Sequence, residues 1–209
     1  LVERMRARGL RADVRALFTT PALADFAAAV DGGVADDVPP SLIPRGAQSI
    51  TPQMLPLVEL SAGEIDAVTA SVPGGAANVQ DVYPLAPLQD GILFHHLMGG
   101  EGDAYLLAVV FHVDTRARLD AFLGALQSVI DRHDILRTAL MWDGLPEPVQ
   151  VVWRRARISA EEVDLDGAED GVARALWARF DPRHTRLDVT RAPLMRALIS
   201  HDAAQGRWL

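Results

Sequence analysis

The stretch Val82-Tyr83-Pro84-Leu85-Ala86-Pro87-Leu88-Gln89-Asp90-Gly91-Ile92-Leu93-Phe94-His95-His96-Leu97-Met98 decides how the rest of the chain is read. Pro87 suits the first position of a helix, where its missing N–H would have no partner in any case. The apolar spacing carries that helix over residues 87–98. At about 100° per residue, Leu85, Leu88, Ile92 and His96 fall within about 80° of one another, with Gln89 beside His96 and His95 at the edge of the stripe. Polar groups on an apolar face must find hydrogen-bond partners or line a cavity that holds water or ligand. Two readings of His96 therefore stand: a satisfied core histidine, or an imidazole placed for proton transfer near neutrality.

Downstream, helix and strand patterns alternate. Residues 105–113 read as a buried strand. Leu119, Phe122, Leu123, Leu126, Val129, Ile130 and His133 recur at spacings of three, four and seven, which predicts an amphipathic helix over 117–135. Residues 137–142 and 149–153 read as a hairpin split by Asp143-Gly144-Leu145-Pro146. Val172, Ala173, Leu176, Trp177 and Phe180 mark a further helix. Residues 194–199 begin a strand, 202–206 a turn, and Arg207-Trp208-Leu209 its return.

Upstream the texture changes. Asp13 is read as the cap of a short helix through Phe18, and Thr20 before Pro21 as the cap of a second helix over 21–30. Gly32, Gly33, Pro39, Pro40, Pro44, Pro52 and Pro56 give residues 31–60 the density of a linker. Ser61 and Glu64 form a capping box for a short helix over 61–72, which Pro73-Gly74-Gly75 ends.

Hydrophobic residues at 49% and charged residues at 23% of the 209 describe a globular chain and exclude wholesale disorder. The longest apolar run, 106–111, is far short of the roughly 20 residues of a membrane helix. The absence of cysteine excludes disulfides and thiolate chemistry and fits a cytoplasmic setting. A net charge of −8 argues against non-specific nucleic-acid binding. All twenty basic residues are Arg, a uniformity that reads as codon bias in the source genome. No His has metal-ligand company at a useful spacing, and neither a phosphate-cradling glycine loop nor a nucleophile elbow is present. Around His133, the neighbours Arg132, Asp134 and Arg137 read as ion-pair scaffolding joining a helix end to the next strand. Arg154, Arg155 and Arg157 read as a solvated strand end.

The residues 82–95 quoted above resemble the first signature of the condensation domains of nonribosomal peptide synthetases. Arg132-His133-Asp134-Ile135-Leu136-Arg137-Thr138 resembles their second, Arg-His-Glu-x-Leu-Arg-Thr, with Asp for Glu. Leu187-Asp188 and Ala192-Pro193-Leu194 resemble a later Phe-Asp-Leu…Pro-Leu stretch, with Leu for Phe. The signatures stand in the family's order and cover about residues 80–209. The resemblance implies the α/β, two-layer chloramphenicol-acetyltransferase-like fold. Residues 1–30 resemble the closing helices of a peptidyl carrier domain, so that 31–79 would be an acidic linker and 80–209 the N-terminal portion of a condensation domain. His95-His96-Leu97-Met98-Gly99-Gly100-Glu101-Gly102-Asp103 resembles the extra motif of dual epimerisation/condensation domains, His-His-(Ile/Leu)-x-x-x-x-Gly-Asp.

The resemblance implies inversion at the α-carbon of an upstream carrier-bound aminoacyl or peptidyl thioester, then amide formation with the downstream aminoacyl thioester. His96, and less directly His95, would assist proton transfer; Gln89, Gly102, Asp103, Arg132, His133, Asp134 and Arg137 would build the surrounding motifs. It implies upstream and downstream carriers and an adjacent adenylation domain as partners, with neither nucleic acid nor membrane. It also implies a bacterial, cytoplasmic setting. No cofactor or metal is expected on these residues: the 4′-phosphopantetheine arm belongs to a carrier serine expected just before Leu1. The family's His-His-x-x-x-Asp-Gly motif is expected beyond Leu209, since His201-Asp202 lacks the second His and the Gly. Leu1 in place of Met, with the final strand pair unfinished, reads as a piece of a longer chain without turnover of its own. The alternatives are an ordinary condensation domain, a non-catalytic carrier-docking module, and another member of the acetyltransferase-like superfamily.

Overall fold

The computed structural model describes residues 4–5, 8–10, 14–20, 22–30, 41–165, 167–168 and 171–209. The chain forms two compact units, Leu1–Pro40 and Ser41–Leu209. In the first, helices α1 (Val14–Thr19) and α2 (Leu23–Ala29) are formed. Ala22, not Thr20, is the N-cap of α2; Asp13, Pro21 and residues 31–40 lie outside the described residues.

The second unit begins well before the expected boundary at residue 80. Ile43, Ile50, Leu55, Leu60, Ile65, Val68 and Val72 bury themselves in one core with Val79, Val82, Ala139, Met141, Val149, Val151 and Trp153. Residues 41–79 are therefore not a linker in this structure. Proline density removes backbone donors and regular pairing, but it does not stop the apolar residues between the prolines from being buried. Side-chain bonds pin the segment: Arg154 donates to the carbonyls of Ile43 (2.7 Å) and Pro44 (3.2 Å), and Ser41 Oγ donates to the carbonyl of Gln80 (2.8 Å). Arg154 is thus a brace rather than a solvated strand end. Helix α3 (Ala62–Ser71) starts on the expected capping box, with Ser61 N–H donating to Glu64 at 2.7 Å and Glu64 N–H donating to Ser61 Oγ at 3.3 Å.

The main sheet has the order β1-β3-β2 and is antiparallel, from β1 (Val79–Pro84), β2 (Thr138–Met141) and β3 (Val149–Trp153). The hairpin β2–β3 matches expectation, registered Thr138 to Val152 and Met141 to Val149. Strand β1 adds to the elements that the sequence pattern predicts. Its ladder carries a bulge between Val79 and Asp81, which leaves Gln80 out of register. Helix α4 (Pro87–Met98) follows β1, then α5 (Arg116–Arg132). The parallel pair β4 (Ser159–Glu162) and β5 (Arg196–Ile199) is connected through α6 (Val172–Arg179). A second, small core of Val163, Val172, Leu176 and Leu209 lies here. The closing hairpin pairs β6 (His201–Asp202) with β7 (Arg207–Trp208). Among the described residues no helix is long and apolar enough to cross a membrane.

Three expectations are corrected. Residues 105–112 are neither paired nor buried: Leu107, Val109 and Phe111 are exposed, and the backbone bridges only at Val113 to Trp208. A run that is apolar on both faces becomes a buried strand only with neighbours to pair with, and it has none among the described residues. Helix α5 stops at Arg132 instead of 135, because Arg137 Nε donates to the carbonyl of Ile130 (3.1 Å) and Asp134–Arg137 tighten into a 3₁₀ turn. His133 consequently leaves the apolar face and becomes an exposed C-cap; the inward line runs through the buried Leu119 and Ile130 and the half-buried Leu123 and Leu126. On α4 the inward face is centred on Leu85, Gln89, Leu93 and His96, while Leu88 is exposed.

Ile65 is 2% exposed in the core. Ile65→Ala is expected to lower unfolding stability by about 2–5 kcal/mol in urea denaturation, whereas a linker residue would leave it unchanged within about 0.5 kcal/mol.

Candidate functional site

Helix α4 is fixed at its start by amides. Gln89 Oε1 accepts the Ala86 N–H at 2.8 Å, and Gln89 exchanges hydrogen bonds with the buried Gln150 of β3 at 2.9 and 3.0 Å. Gln89 is a satisfied structural amide. Two residues before the end of the helix, His96 turns inward. Its Nδ1 lies 2.6 Å from Asp103 Oδ2, and the two side chains are 11% and 10% exposed. Burial opposes ionisation of Asp103. The Tyr105 N–H at 2.9 Å, the His96 hydrogen bond and charge, and the charge of Arg186 together outweigh it and hold the carboxyl below its usual range. An ionised carboxylate accepts only, so His96 Nδ1 is the donor in this hydrogen bond. Nε2 makes no hydrogen bond among the described residues.

His96 and Asp103 line a cavity of about 380 Å³ together with Ile92, Tyr105, Leu140 and Leu187. His95 is exposed, its ring 5.8 Å from Phe94 and 6.1 Å from Tyr105, and does not line that cavity.

The loop carrying Asp103 is held by residues 181–186. Asp103 N–H donates to the Pro182 carbonyl at 2.9 Å. At Gly102 the backbones approach so closely that a Cβ would stand 2.3 Å from the Arg183 carbonyl oxygen and 2.6 Å from that of Pro182. Arg186 donates to the carbonyls of Gly99 (2.9 Å), Gly100 (3.2 Å) and His96. The strap is braced internally by Asp181, which accepts the Arg183 N–H at 2.9 Å and its side-chain donors at 2.5–3.0 Å. The Arg183 side chain, then its N–H, hold the Asp181 carboxyl down at about 2.

The second motif lies apart from this pair. Arg137 is buried and binds the carbonyls of Ile130 and Trp153, the Asp134 carboxylate, and Gln80 Oε1 at 3.2 Å. Asp134 also accepts Gln80 Nε2 at 2.7 Å. Arg132 and His133 are exposed on the helix end. Of the residues singled out in the sequence, the fold thus unites His96, Gly102 and Asp103, and separately Asp134 and Arg137. Sequence reasoning misses Gln150, Asp181, Pro182 and Arg186. The partners of Gln150 and Arg186 on α4 lie 61 and 90 positions away in the chain. The only local signal is Arg186 standing directly before Leu187-Asp188.

A family model described as the condensation domain matches residues 79–209. The chain belongs to the condensation-domain family. Two relatives from Mortierella alpina match its whole length, malpinin synthetase at 48% identity and malpibaldin synthetase at 46%, the chain spanning 3% and 4% of them. A linear gramicidin synthase of Brevibacillus parabrevis is 35% identical over 73% of the chain and 2% of its own length. The expected bacterial source therefore finds no support in the whole-length matches. Among solved structures, a four-domain nonribosomal peptide synthetase bound to AMP and glycine aligns with a TM-score of 0.52 at 18% identity, covering 62% of this chain and 10% of that one. This condensation domain shares the chloramphenicol-acetyltransferase-like α/β fold.

Gly102→Ala in the condensation domain is expected to destabilise by about 1–3 kcal/mol, measured by urea unfolding. Gly100→Ala, whose Cβ would meet nothing within 4 Å, is the control and is expected to change stability by under about 0.5 kcal/mol. Asp181 supplies a pH test. A carboxyl depressed to about 2 contributes stability that is fully present above its unfolded value of about 3.9 and is lost as pH falls through its folded value. The stability difference between the native chain and Asp181→Asn should therefore hold from neutrality to about pH 5 and shrink between about pH 4 and 2.

Proposed function

We propose that the condensation domain works within a nonribosomal peptide synthetase as a dual catalyst. It inverts the α-carbon of an upstream carrier-bound aminoacyl or peptidyl thioester, then joins that group to a downstream aminoacyl thioester. The observation that carries this reading is the His96–Asp103 pair, with Nδ1 on the carboxylate and both residues lining a largely apolar cavity. In inversion, Nε2 takes the α-proton, the C–H electron pair moves onto the thioester carbonyl as an enolate, and a proton returns to the other face. Desolvation around the pair strengthens its electrostatics. In condensation, the amine forms the C–N bond as the C–S bond breaks, and the amine proton leaves with the pantetheine thiolate. The phosphopantetheine arms belong to the carriers and enter as part of the substrates. Partners are the two carriers and a neighbouring adenylation domain. Residues 1–30 are assigned to the tail of the upstream carrier, a reading supported by helices α1 and α2 and by the whole-length match to malpinin synthetase.

The test is His96→Ala in the full synthetase, with product stereochemistry read separately from amide formation. Formation of the D-configured product from an L-donor is expected to fall by about 10²–10⁴-fold, with condensation of a supplied D-donor retained. Unchanged inversion would leave an ordinary condensation domain as the correct reading.

A further inference from the structure

We infer that Arg186 is a positioning residue for His96, its guanidinium clamping the end of helix α4 onto the strap at 181–186. This rests on the reading of His96 just given. A helix leaves its last carbonyls without intrahelical partners, and a cation there also complements the negative end of the helix dipole. Helix α4 ends at Met98, two residues after His96. Arg186 reaches back across 90 positions to the His96 carbonyl and donates also to Gly99 (2.9 Å) and Gly100 (3.2 Å). It is half-buried and forms no ion pair with a carboxylate among the described residues, so its geometry is committed to this one helix end.

The clamp acts on the site from both sides. The same strap receives the Asp103 N–H at Pro182 and abuts Gly102 without room for a side chain. The two halves of the 2.6 Å His96–Asp103 pair are therefore carried by two stretches of backbone fastened to one element. The charge of Arg186 also favours the ionised form of Asp103. A planar fork can serve three carbonyls at once; an ammonium on a flexible stem keeps the charge but not the fork.

The experiment uses the full synthetase with Arg186→Ala, Arg186→Lys and His96→Ala. Two rates are read: D-product from an L-donor, and amide formation from a supplied D-donor. In both Arg186 variants, the first rate is expected to fall by about 10²-fold, the loss associated with misplacing a catalytic group by about 1 Å, with the second held within about twofold. Arg186→Lys keeps the test decisive if Arg186→Ala does not fold. An equal fall in both rates, or no fall in either, overturns the inference. If His96→Ala spares inversion, the reading of His96 fails; if His96→Ala abolishes inversion while the Arg186 variants spare it, only the clamp fails.

Discussion

The site depends on a steric condition at Gly102, where there is room for backbone and nothing more. A Cβ would lie 2.3 Å from the carbonyl oxygen of Arg183, well inside contact distance, so any other residue must push the two chains apart. Because they can touch, the next N–H reaches Pro182 at 2.9 Å, and the carboxylate of that same residue reaches His96 at 2.6 Å. The order glycine then aspartate is thus mechanical: the first residue permits the approach and the second uses it.

The rest of the unit keeps helix α4 from moving within that arrangement. At its start, Gln89 is paired with Gln150, which is 4% exposed on the central strand of the sheet. A buried amide pair of this kind is satisfied only in one alignment, since each partner left alone would forfeit bonds that water cannot replace. At its end, the carbonyls of His96, Gly99 and Gly100 are taken by Arg186. A helix fastened to the sheet at one end and to the strap at the other holds an imidazole more closely than a loop would, as the proton transfer proposed for His96 requires.

What is legible in the sequence follows the range of the forces involved. Helix α4, the capping box of α3 and the β2–β3 hairpin rest on residues within a few positions of each other, and periodicity and capping chemistry locate them. His96 stands out because a polar group interrupts an apolar stripe, although Leu88, assigned to that stripe, faces solvent. Residues 105–113 mislead because composition describes what a strand would bury, while pairing depends on a neighbour. Residues 41–79 mislead for the opposite reason: the prolines at 44, 52 and 56 hide Ile43, Ile50 and Leu55, which lie 2–7% exposed in the core. The strap is invisible in the sequence because it acts largely through backbone carbonyls, which every residue possesses.

Arginine shows the same contrast between composition and position. Twenty Arg and no Lys look at first like a property of the genome rather than of the protein. Yet at the ends of two helices the fork itself is used. Arg137 gathers the carbonyls of Ile130 and Trp153 with the Asp134 carboxylate, closing the end of α5 against the sheet. Arg186 gathers three carbonyls at the end of α4. In both cases one planar group answers several acceptors of fixed orientation around the C-terminus of a helix, where an ammonium offers three donors but no rigid fork to set their relative angle. A uniform background of arginine is therefore compatible with codon usage in general, while at positions 137 and 186 the several donors of one guanidinium are used together. The two helices that bracket the exposed 105–112 segment are ended by the same device.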